Sequence, residues 1–147
     1  MKVVNIQNKR ARFEYNILDK YVAGLQLSGT EIKSIRNSKV NLSDSFCSFK
    51  ENELFIVGMH IDEYEFGNYA NHQTKRDRKL LLNRQELDKI RKKLKDVGLT
   101  VIPLRLFIND KGLAKIEIAV AKGKKLHDKR NTIKDRNIQR DIERASK

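Results

Sequence analysis

The chain has 147 residues and carries a formal net charge of +13 at pH 7. This length predicts one packed domain rather than two, and a hydrophobic content of 39% is enough for a core. Cys47 is the single cysteine, which excludes an internal disulfide and fits a reducing cytosol. No apolar run approaches the ~18 to 20 residues that span a bilayer, and the N-terminus lacks the apolar core of a secretory signal. We therefore expect a cytoplasmic protein with no membrane partner.

The N-terminal third is predicted to contain two strands and a short helix. Phe13–Leu18 and Tyr21–Leu27 are rich in the aromatic and aliphatic residues that strands favour, and Gly24 suggests a bend or bulge in the second. After a Ser-Gly-Thr turn signal, Thr30 is the expected cap of a helix over Glu31–Asn37.

A hairpin and a long loop are predicted next. Ser45–Lys50 and Leu54–Ile61 flank a short polar turn, as the strands of a hairpin do. From Asp62 to Lys79 no periodicity remains, and loops of this length in compact domains are usually functional or disordered. This loop interleaves rings suited to stacking on bases with cations suited to phosphates: Tyr64, Phe66, Tyr69 and His72 with Lys75, Arg76, Arg78 and Lys79.

The clearest helical pattern covers Arg84–Val97. Asn83 and Glu86 have the spacing of a capping box, and Gly98 follows the last helical residue. The apolar stripe of this helix comprises Leu87, Ile90, Leu94 and Val97.

Two longer strands, Thr100–Ile108 and Leu113–Ala121, follow this helix. Pro103 indicates an edge or bulged position in the first, since proline cannot donate to a ladder. Alternation predicts one apolar face from Ile102, Leu104, Leu106 and Ile108, and another from Ile116, Ile118 and Val120, with Lys115 and Glu117 on the opposite side. The elements together predict a mainly β chain: a small OB-like antiparallel β-barrel with flanking α-helices over residues 1–121.

Residues 122–147 form a second, basic segment. This segment contains ten Lys or Arg residues and four acids, so its net charge is about +6. Its sizeable apolar residues are too few to offset the entropy of ordering it: Leu126, Ile133, Ile138 and Ile142. We predict a C-terminal tail that is disordered when free and folds on a polyanion, and the overall charge favours a nucleic acid.

The sequence contains few features of an enzyme. It contains no CxxC, HxH, HExxH or glycine-rich phosphate motif, so we predict no metal and no cofactor. A Cys47–His60 pair across the hairpin is conceivable as a catalytic dyad, but nothing supplies a third, orienting group. The preferred interpretation is that Cys47 is a small buried residue and that the protein is not an enzyme.

Residue chemistry alone leaves several individual roles open. Lys115 suits a phosphate contact or a solvated outer face. Asn83 caps its helix and is also available to RNA, and Glu31 has a simple structural use at the positive end of its helix. His127 is able to stack on a base, but single histidines in tails are common.

Several segments, taken in order, resemble the SsrA-binding protein family, also called small protein B. The similarity covers essentially the whole chain and rests on GTEIKSIR (29–36), NLSDSF (41–46), RKLLLN (78–83), AKGKKLHDKR (121–130) and TIKDR (132–136). The resemblance implies an OB-like barrel that binds the tRNA-like domain of transfer-messenger RNA and delivers it to stalled ribosomes. It also implies that the tail occupies the empty messenger channel and the decoding centre.

The resemblance also implies site residues. In the barrel it indicates RNA binding by Glu31, Leu81, Asn83 and Lys115, and we predict further contacts by Lys33, Arg36 and Arg78. In the tail it indicates ribosome contacts by Gly123, Lys124, Lys125, His127, Asp128, Lys129 and Arg130, and we predict further contacts by Lys134, Arg136 and Ile138. Ile138 stands where family tails often carry tryptophan, and the chain has no Trp.

The expected partners are transfer-messenger RNA, the ribosome and, in the delivery complex, elongation factor Tu, with the protein itself a monomer. The alternative from the same chemistry is an OB-type ribosomal or RNA-chaperone protein that binds structured RNA without delivering it.

Overall fold

The structure, a computed structural model, describes residues 4–67 and 71–124. Nine strands and three helices occupy this part of the chain, so the prediction of a mainly β fold is confirmed. Their order is β1 (Asn5–Gln7), α1 (Lys9–Glu14), β2 (Tyr15–Leu25), α2 (Gly29–Arg36), β3 (Val40–Asn41), β4 (Phe46–Lys50), β5 (Glu53–Val57), β6 (His60–Ile61), β7 (Arg78–Leu81), α3 (Arg84–Lys93), β8 (Leu99–Ile108) and β9 (Ala114–Gly123).

Seven of these strands form one antiparallel sheet that closes into a barrel. Their order is β1-β8-β4-β5-β7-β2-β9, and β9 pairs with β8 as well as with β2. Six strands therefore complete the ring, while β1 lies outside it along one edge of β8. The short β3 and β6 pair separately. The predicted antiparallel barrel is confirmed, and it has one strand more than the usual five of an OB-fold.

A bulge in β8 corrects the predicted alternation of that strand. The pairing of β8 with β9 shifts register between Pro103 and Arg105, at the proline that cannot donate to a ladder. Leu106 lies in the main core, whereas Ile102 and Leu104 pack into a second cluster with Ala11, Ala119 and Ala121. The four alternating residues of this strand thus do not share one face, because one extra residue reverses the direction of every side chain beyond it.

The first two predicted strands are in fact a short helix followed by one long strand. Phe13 lies in α1, whose N-cap Asn8 accepts a hydrogen bond from the backbone N–H of Ala11. The strand β2 then runs without interruption through Asp19 and Lys20, so these residues do not separate two strands as predicted. Its pairing with β9 shifts register between Ile17 and Asp19.

Helices α2 and α3 begin at capping boxes. The cap of α2 is Ser28, not Thr30 as predicted, because Ser28 Oγ accepts from the N–H of Glu31 while the Glu31 carboxylate accepts from the N–H of Ser28. In α3 the predicted box of Asn83 and Glu86 is confirmed. However, α3 ends at Lys93, and Val97 is fully exposed rather than part of the apolar stripe.

The last strand completes the barrel and positions the predicted site. As expected, Ile116, Ile118 and Val120 are buried in the main core. Lys115 therefore lies on the outer surface, opposite Gly24 of β2 and Phe107 of β8. The strand continues past Ala121 to Gly123, beyond the predicted end of the barrel.

Candidate nucleic-acid interface

An open cleft of about 330 Å³ lies where the ends of β2 and β7 meet α2 and the β8–β9 turn. We call it the Lys115 cleft. It brings together three of the predicted barrel residues, Arg36, Leu81 and Lys115, which are far apart in the sequence. Its other lining residues are Gly24, Leu25, Leu27, Ile32, Gly112, Leu113 and Ala114.

The cleft has an apolar floor with cations beside it. Leu81 and Leu113 are 51% and 54% exposed, although both are large apolar residues. Arg36 is exposed on α2, and Lys115 is partly exposed on β9. Apolar surface suits the faces of bases and the carbon atoms of riboses, while the guanidinium and ammonium groups suit phosphates.

Gly24 keeps the floor of the cleft low. In the sheet it lies between Leu81 of β7 and Lys115 of β9. A Cβ atom at this position would lie 3.2 Å from the Cβ of Leu81, closer than side chains normally approach. The close packing of β2 against β7 thus depends on the missing side chain, whereas the sequence had suggested only a bend or bulge.

Two further predicted residues, Glu31 and Arg78, lie in the interior instead of in the cleft. Both side chains are fully buried, and Arg78 Nε donates to Glu31 Oε2. Arg76 Nη2 donates to Glu31 Oε1 at 2.5 Å. The carboxylate of Glu31 also receives the N–H of Ser28 at 2.9 Å, which joins the start of α2 to the strand β7.

The hydrogen-bonding capacity of Arg78 is used up within the protein. An arginine has five N–H donors. Besides Glu31, the guanidinium reaches four backbone carbonyls, those of Met59 at 2.9 Å, Arg76 at 3.1 Å, and Gln73 and Thr74 at 3.2 Å each. Neither Arg78 nor Glu31 is exposed to a partner in this structure, because the two groups satisfy each other across 47 residues. Their RNA contacts remain predictions.

The ionisation of Glu31 follows from its partners. Burial alone would raise the pKa of this carboxyl group, but the hydrogen bonds from Arg76, from the backbone of Ser28 and from Arg78 outweigh burial and lower the pKa from 4.5 to about 2. Glu31 is therefore charged at neutral pH despite its burial, and the network holds the loop before β7 against α2.

This network predicts an acid-sensitive fold. Because the pKa of Glu31 is lowered on folding, its contribution to stability is complete above the unfolded-state pKa near 4.5 and is lost as pH falls towards about 2. We expect Glu31 to account for about 3 kcal/mol of the free energy of unfolding lost between about pH 5 and pH 2. Urea titrations across this range measure the loss. The matched variant Glu31→Gln should be less stable at pH 5 and lose less on acidification; parallel curves for the two proteins would contradict the assignment.

Lys33 and Asn83 lie outside the cleft. Lys33 is exposed on α2, with its ammonium 5.3 Å from the centroid of the Tyr64 ring. Asn83 is exposed, and its Oδ1 accepts the N–H of Glu86 at 2.8 Å. In the described part of the chain its amide nitrogen has no hydrogen-bond partner. Asn83 can therefore cap α3 and donate to RNA at the same time.

Only the first residues of the basic segment belong to the described structure. Gly123 ends β9 opposite Tyr15, and the backbone N–H of Lys124 donates to the carbonyl of Glu14 at 2.8 Å. The other predicted tail positions lie outside the described residues: Lys125, His127, Asp128, Lys129, Arg130, Lys134, Arg136 and Ile138.

The long loop before β7 is partly used for structure rather than for stacking. His72 Nε2 donates to the carbonyl of Ile61 at 3.0 Å, and His72 Nδ1 is hydrogen-bonded to the hydroxyl of Thr30 at 2.9 Å. The Asn71 side chain bonds both backbone groups of Tyr64. These bonds tie the loop to α2 and β6, while Tyr69 lies outside the described residues.

Sequence reasoning missed two features of the surface around Lys115. The first is the cleft itself: the sequence assigns Leu27 and Leu113 to strands and Ile32 to a helix, without a binding role. Arg105 and Phe107 lie on the same outer face as Lys115, with the guanidinium carbon 4.2 Å from the ring centroid. Strand alternation was the available signal for this pair, because Arg105 and Phe107 alternate with Leu106 and Ile108, which face the core.

The possible catalytic pair is not supported by the geometry. Cys47 is buried in β4, and burial raises the pKa of its thiol, which opposes formation of a nucleophilic thiolate. His60 Nε2 instead lies 2.8 Å from Asp62 Oδ1. In residues 4–67 and 71–124, no cluster of three or more His, Cys, Asp or Glu side chains could hold a metal ion, and no helix is long and apolar enough to cross a membrane.

Comparison with known proteins identifies the family. The family model described as SmpB protein matches residues 5–147. The chain belongs to the SmpB protein family. It is 57% identical over 147 residues to the SsrA-binding protein of Flavobacterium psychrophilum, covering 100% of this chain and 98% of that protein. It is 56% identical over 144 residues to the SsrA-binding protein of Bacteroides thetaiotaomicron, covering 98% of this chain and 96% of the relative.

A solved structure shares the fold of this SmpB family member. A chain of the complex described as "tmRNA-SmpB: a journey to the center of the bacterial ribosome" matches with a TM-score of 0.71 and 43% sequence identity. The match covers 84% of this chain and 86% of that one. The family predicted from the quoted segments is thus confirmed.

Proposed function

We propose that this chain is an RNA-binding adaptor of ribosome rescue. It binds the tRNA-like domain of transfer-messenger RNA with its barrel and delivers that RNA to stalled ribosomes for trans-translation and peptide tagging. The observation that carries the proposal is the Lys115 cleft, where Arg36, Leu81 and Lys115 converge. Membership of the SmpB family, relatives named for SsrA binding and the match to a tmRNA-SmpB complex on the ribosome support the same role.

Within this proposal the cleft residues divide the work by chemistry. Lys115 and Arg36 bind phosphates on the two sides of the cleft, and Leu81 with Leu113 contacts ribose and base surfaces between them. Asn83 offers its amide nitrogen to an acceptor on the RNA. Glu31 and Arg78 act indirectly, since their ion pair fixes α2 and β7, the elements that carry Arg36 and Leu81.

The remaining assignments complete the proposed mechanism. The barrel selects the RNA, and the segment after β9 tests whether the messenger channel is empty, with its basic residues and His127 at the decoding centre. The protein acts without catalysis, as a monomer in the cytoplasm where ribosomes work, and elongation factor Tu joins the delivery complex. The division into a barrel and a tail belongs to this proposal, with the boundary after Gly123, where β9 ends.

Purification of the protein from its own cells tests the choice of RNA. We expect one discrete, structured RNA of the transfer-messenger class to co-purify, since shape recognition by a cleft selects one fold. Recovery of a mixture of RNAs would favour the RNA-chaperone alternative instead.

The Lys115→Ala substitution tests the cleft itself. Loss of one charge-assisted phosphate contact should weaken binding of transfer-messenger RNA about tenfold, that is by ~1.4 kcal/mol. It should also lower the slope of log K against log salt by about 0.7 to 0.9, the value for one phosphate. Filter binding or gel shifts at several salt concentrations measure both quantities.

Lys9→Ala is the matched control for this experiment. Lys9 is also exposed, but it lies in α1 and does not line the Lys115 cleft. Equal effects of the two substitutions would mean that Lys115 contributes only general charge, and the cleft would then not be the binding site.

A further inference from the structure

A second, smaller cleft, between the end of α2 and the loop after β6, has the opposite charge from the rest of the molecule. It measures about 110 Å³ and is lined by Ser34, Asn37, Lys39, Asp62, Glu63, Tyr64 and Glu65. Three carboxylates thus face one ammonium group on a chain whose net charge is +13. We call this site the acidic cleft.

Two of these carboxylates are available to a partner. Asp62 lies 2.8 Å from His60 Nε2, but Glu63 and Glu65 are exposed and have no ion-pair partner in the described part of the chain. Such a surface repels the phosphates of RNA and attracts cations, so it does not extend the Lys115 cleft.

A buried hydroxyl at the acidic cleft gives an independent indication of a ligand. Ser34 is 1% exposed, and its Oγ has no hydrogen-bond partner among the described residues. Buried polar groups are nearly always paired, and an unpaired one costs about 1–3 kcal/mol. An N–H donor that enters the cleft supplies the missing partner for Ser34 Oγ.

Aromatic rings beside the acidic cleft favour an organic cation over a metal ion. Tyr64 already takes the Lys33 ammonium over its ring, 5.3 Å from the centroid. Phe66 packs edge-on to Tyr64, with centroids 5.7 Å apart, and is 73% exposed. Exposed rings next to carboxylates bind lysine and arginine side chains through cation–π and ionic contacts together.

We propose that the acidic cleft docks an arginine- or lysine-bearing segment of a basic ribosomal protein. The identity of the partner rests on the proposed function, which brings the chain to the ribosome; the cationic chemistry rests on the cleft alone. The two clefts then have separate partners, RNA at Lys115 and protein at Glu63 and Glu65.

Charge reversal distinguishes a protein partner from an RNA partner, because the two predict opposite changes in ribosome affinity. The double variant Glu63→Lys/Glu65→Lys should bind purified stalled ribosomes about tenfold more weakly than the wild type, since an attraction becomes a repulsion. If this face meets RNA instead, four added units of positive charge should strengthen binding, and that result would overturn the proposal. Unchanged ribosome affinity would overturn it as well.

A control variant and a second assay keep the outcomes distinct. Asp44→Lys/Asp96→Lys adds the same charge at exposed positions outside the acidic cleft and should not weaken ribosome binding. Transfer-messenger RNA binding is measured for every variant without ribosomes. If the wild type fails that assay, the proposed function fails, whereas a loss confined to ribosome binding by the Glu63/Glu65 variant supports the acidic cleft.

Photocrosslinking identifies the occupant directly. A benzophenone amino acid in place of Phe66, in the full chain bound to purified ribosomes, should crosslink to a basic ribosomal protein. Crosslinks to RNA, to another part of the same chain or to nothing would each overturn the proposal.

Discussion

Replacement of Arg78 by methionine is expected to lower the free energy of unfolding by about 3–5 kcal/mol. The substitution keeps much of the side-chain volume but removes the guanidinium that serves Glu31 and four backbone carbonyls. Glu31 would remain buried with one fewer charge partner, and the carbonyls would lose their donors. Urea denaturation followed by circular dichroism measures the change.

A surface arginine provides the comparison for this experiment. Arg84 is about half exposed and pairs with Asp88 one turn along α3 at 3.4 Å. Arg84→Met should therefore cost no more than about 1 kcal/mol. If Arg78→Met were equally mild and instead weakened RNA binding in a fully folded protein, Arg78 would be a contact residue after all.

A chain that ends at Lys124 is expected to keep its affinity for transfer-messenger RNA within about threefold at ~0.15 M salt, and to lose peptide tagging on stalled ribosomes. The end point matters, because β9 runs to Gly123 and the N–H of Lys124 bonds the carbonyl of Glu14. A cut after Ala121 would remove part of the barrel and mix two effects. Loss of RNA binding by the chain that ends at Lys124 would show that the barrel and the tail do not divide the work as proposed.

A tail with a shuffled sequence tests whether peptide tagging depends on the order of the tail residues or only on their charge. Residues 125–147 contain eight basic and four acidic residues, and a shuffled segment keeps the same composition and net charge. We expect the shuffled protein to bind transfer-messenger RNA normally and to remain inactive in tagging. Full tagging by the shuffled protein would mean that the tail acts through its charge alone.

The elements that could be predicted are those whose signals are local. The capping box of Asn83 and Glu86 satisfies backbone groups within four residues, so α3 is readable from its own sequence. The alternation of Ile116, Ile118 and Val120 likewise holds throughout a strand that is paired on both sides.

The errors arise where distant partners override local patterns. Asp19 and Lys20 suggested a turn, but a bulge against β9 lets β2 pass straight through them. In β8, the bulge after Pro103 divides one apolar pattern between two clusters. Helix α1 has a single buried residue, Ala11, and therefore no apolar stripe to detect.

The candidate site shows the same limit. Lys115 was correctly placed outside the core because strand alternation determines which side it faces. In the sequence, Arg78 cannot be distinguished from an arginine that binds a phosphate. Its partner Glu31 lies 47 residues earlier, and no residue near Arg78 indicates this ion pair. The charge of a residue is visible in a sequence, but its desolvation depends on the tertiary fold.

The barrel is completed by β9, the last strand within the described residues, which fills the gap between β2 and β8. Until β9 has been translated, both neighbours have an unpaired edge, and such edges attract aggregation. Lys115 arrives with the same strand. A nascent chain interrupted before Ala114 would therefore have an open barrel and would lack Lys115, the lysine that we propose binds RNA. Closure of the barrel and the arrival of Lys115 thus depend on the same strand, and both are complete at Gly123, before the rest of the basic segment is synthesised.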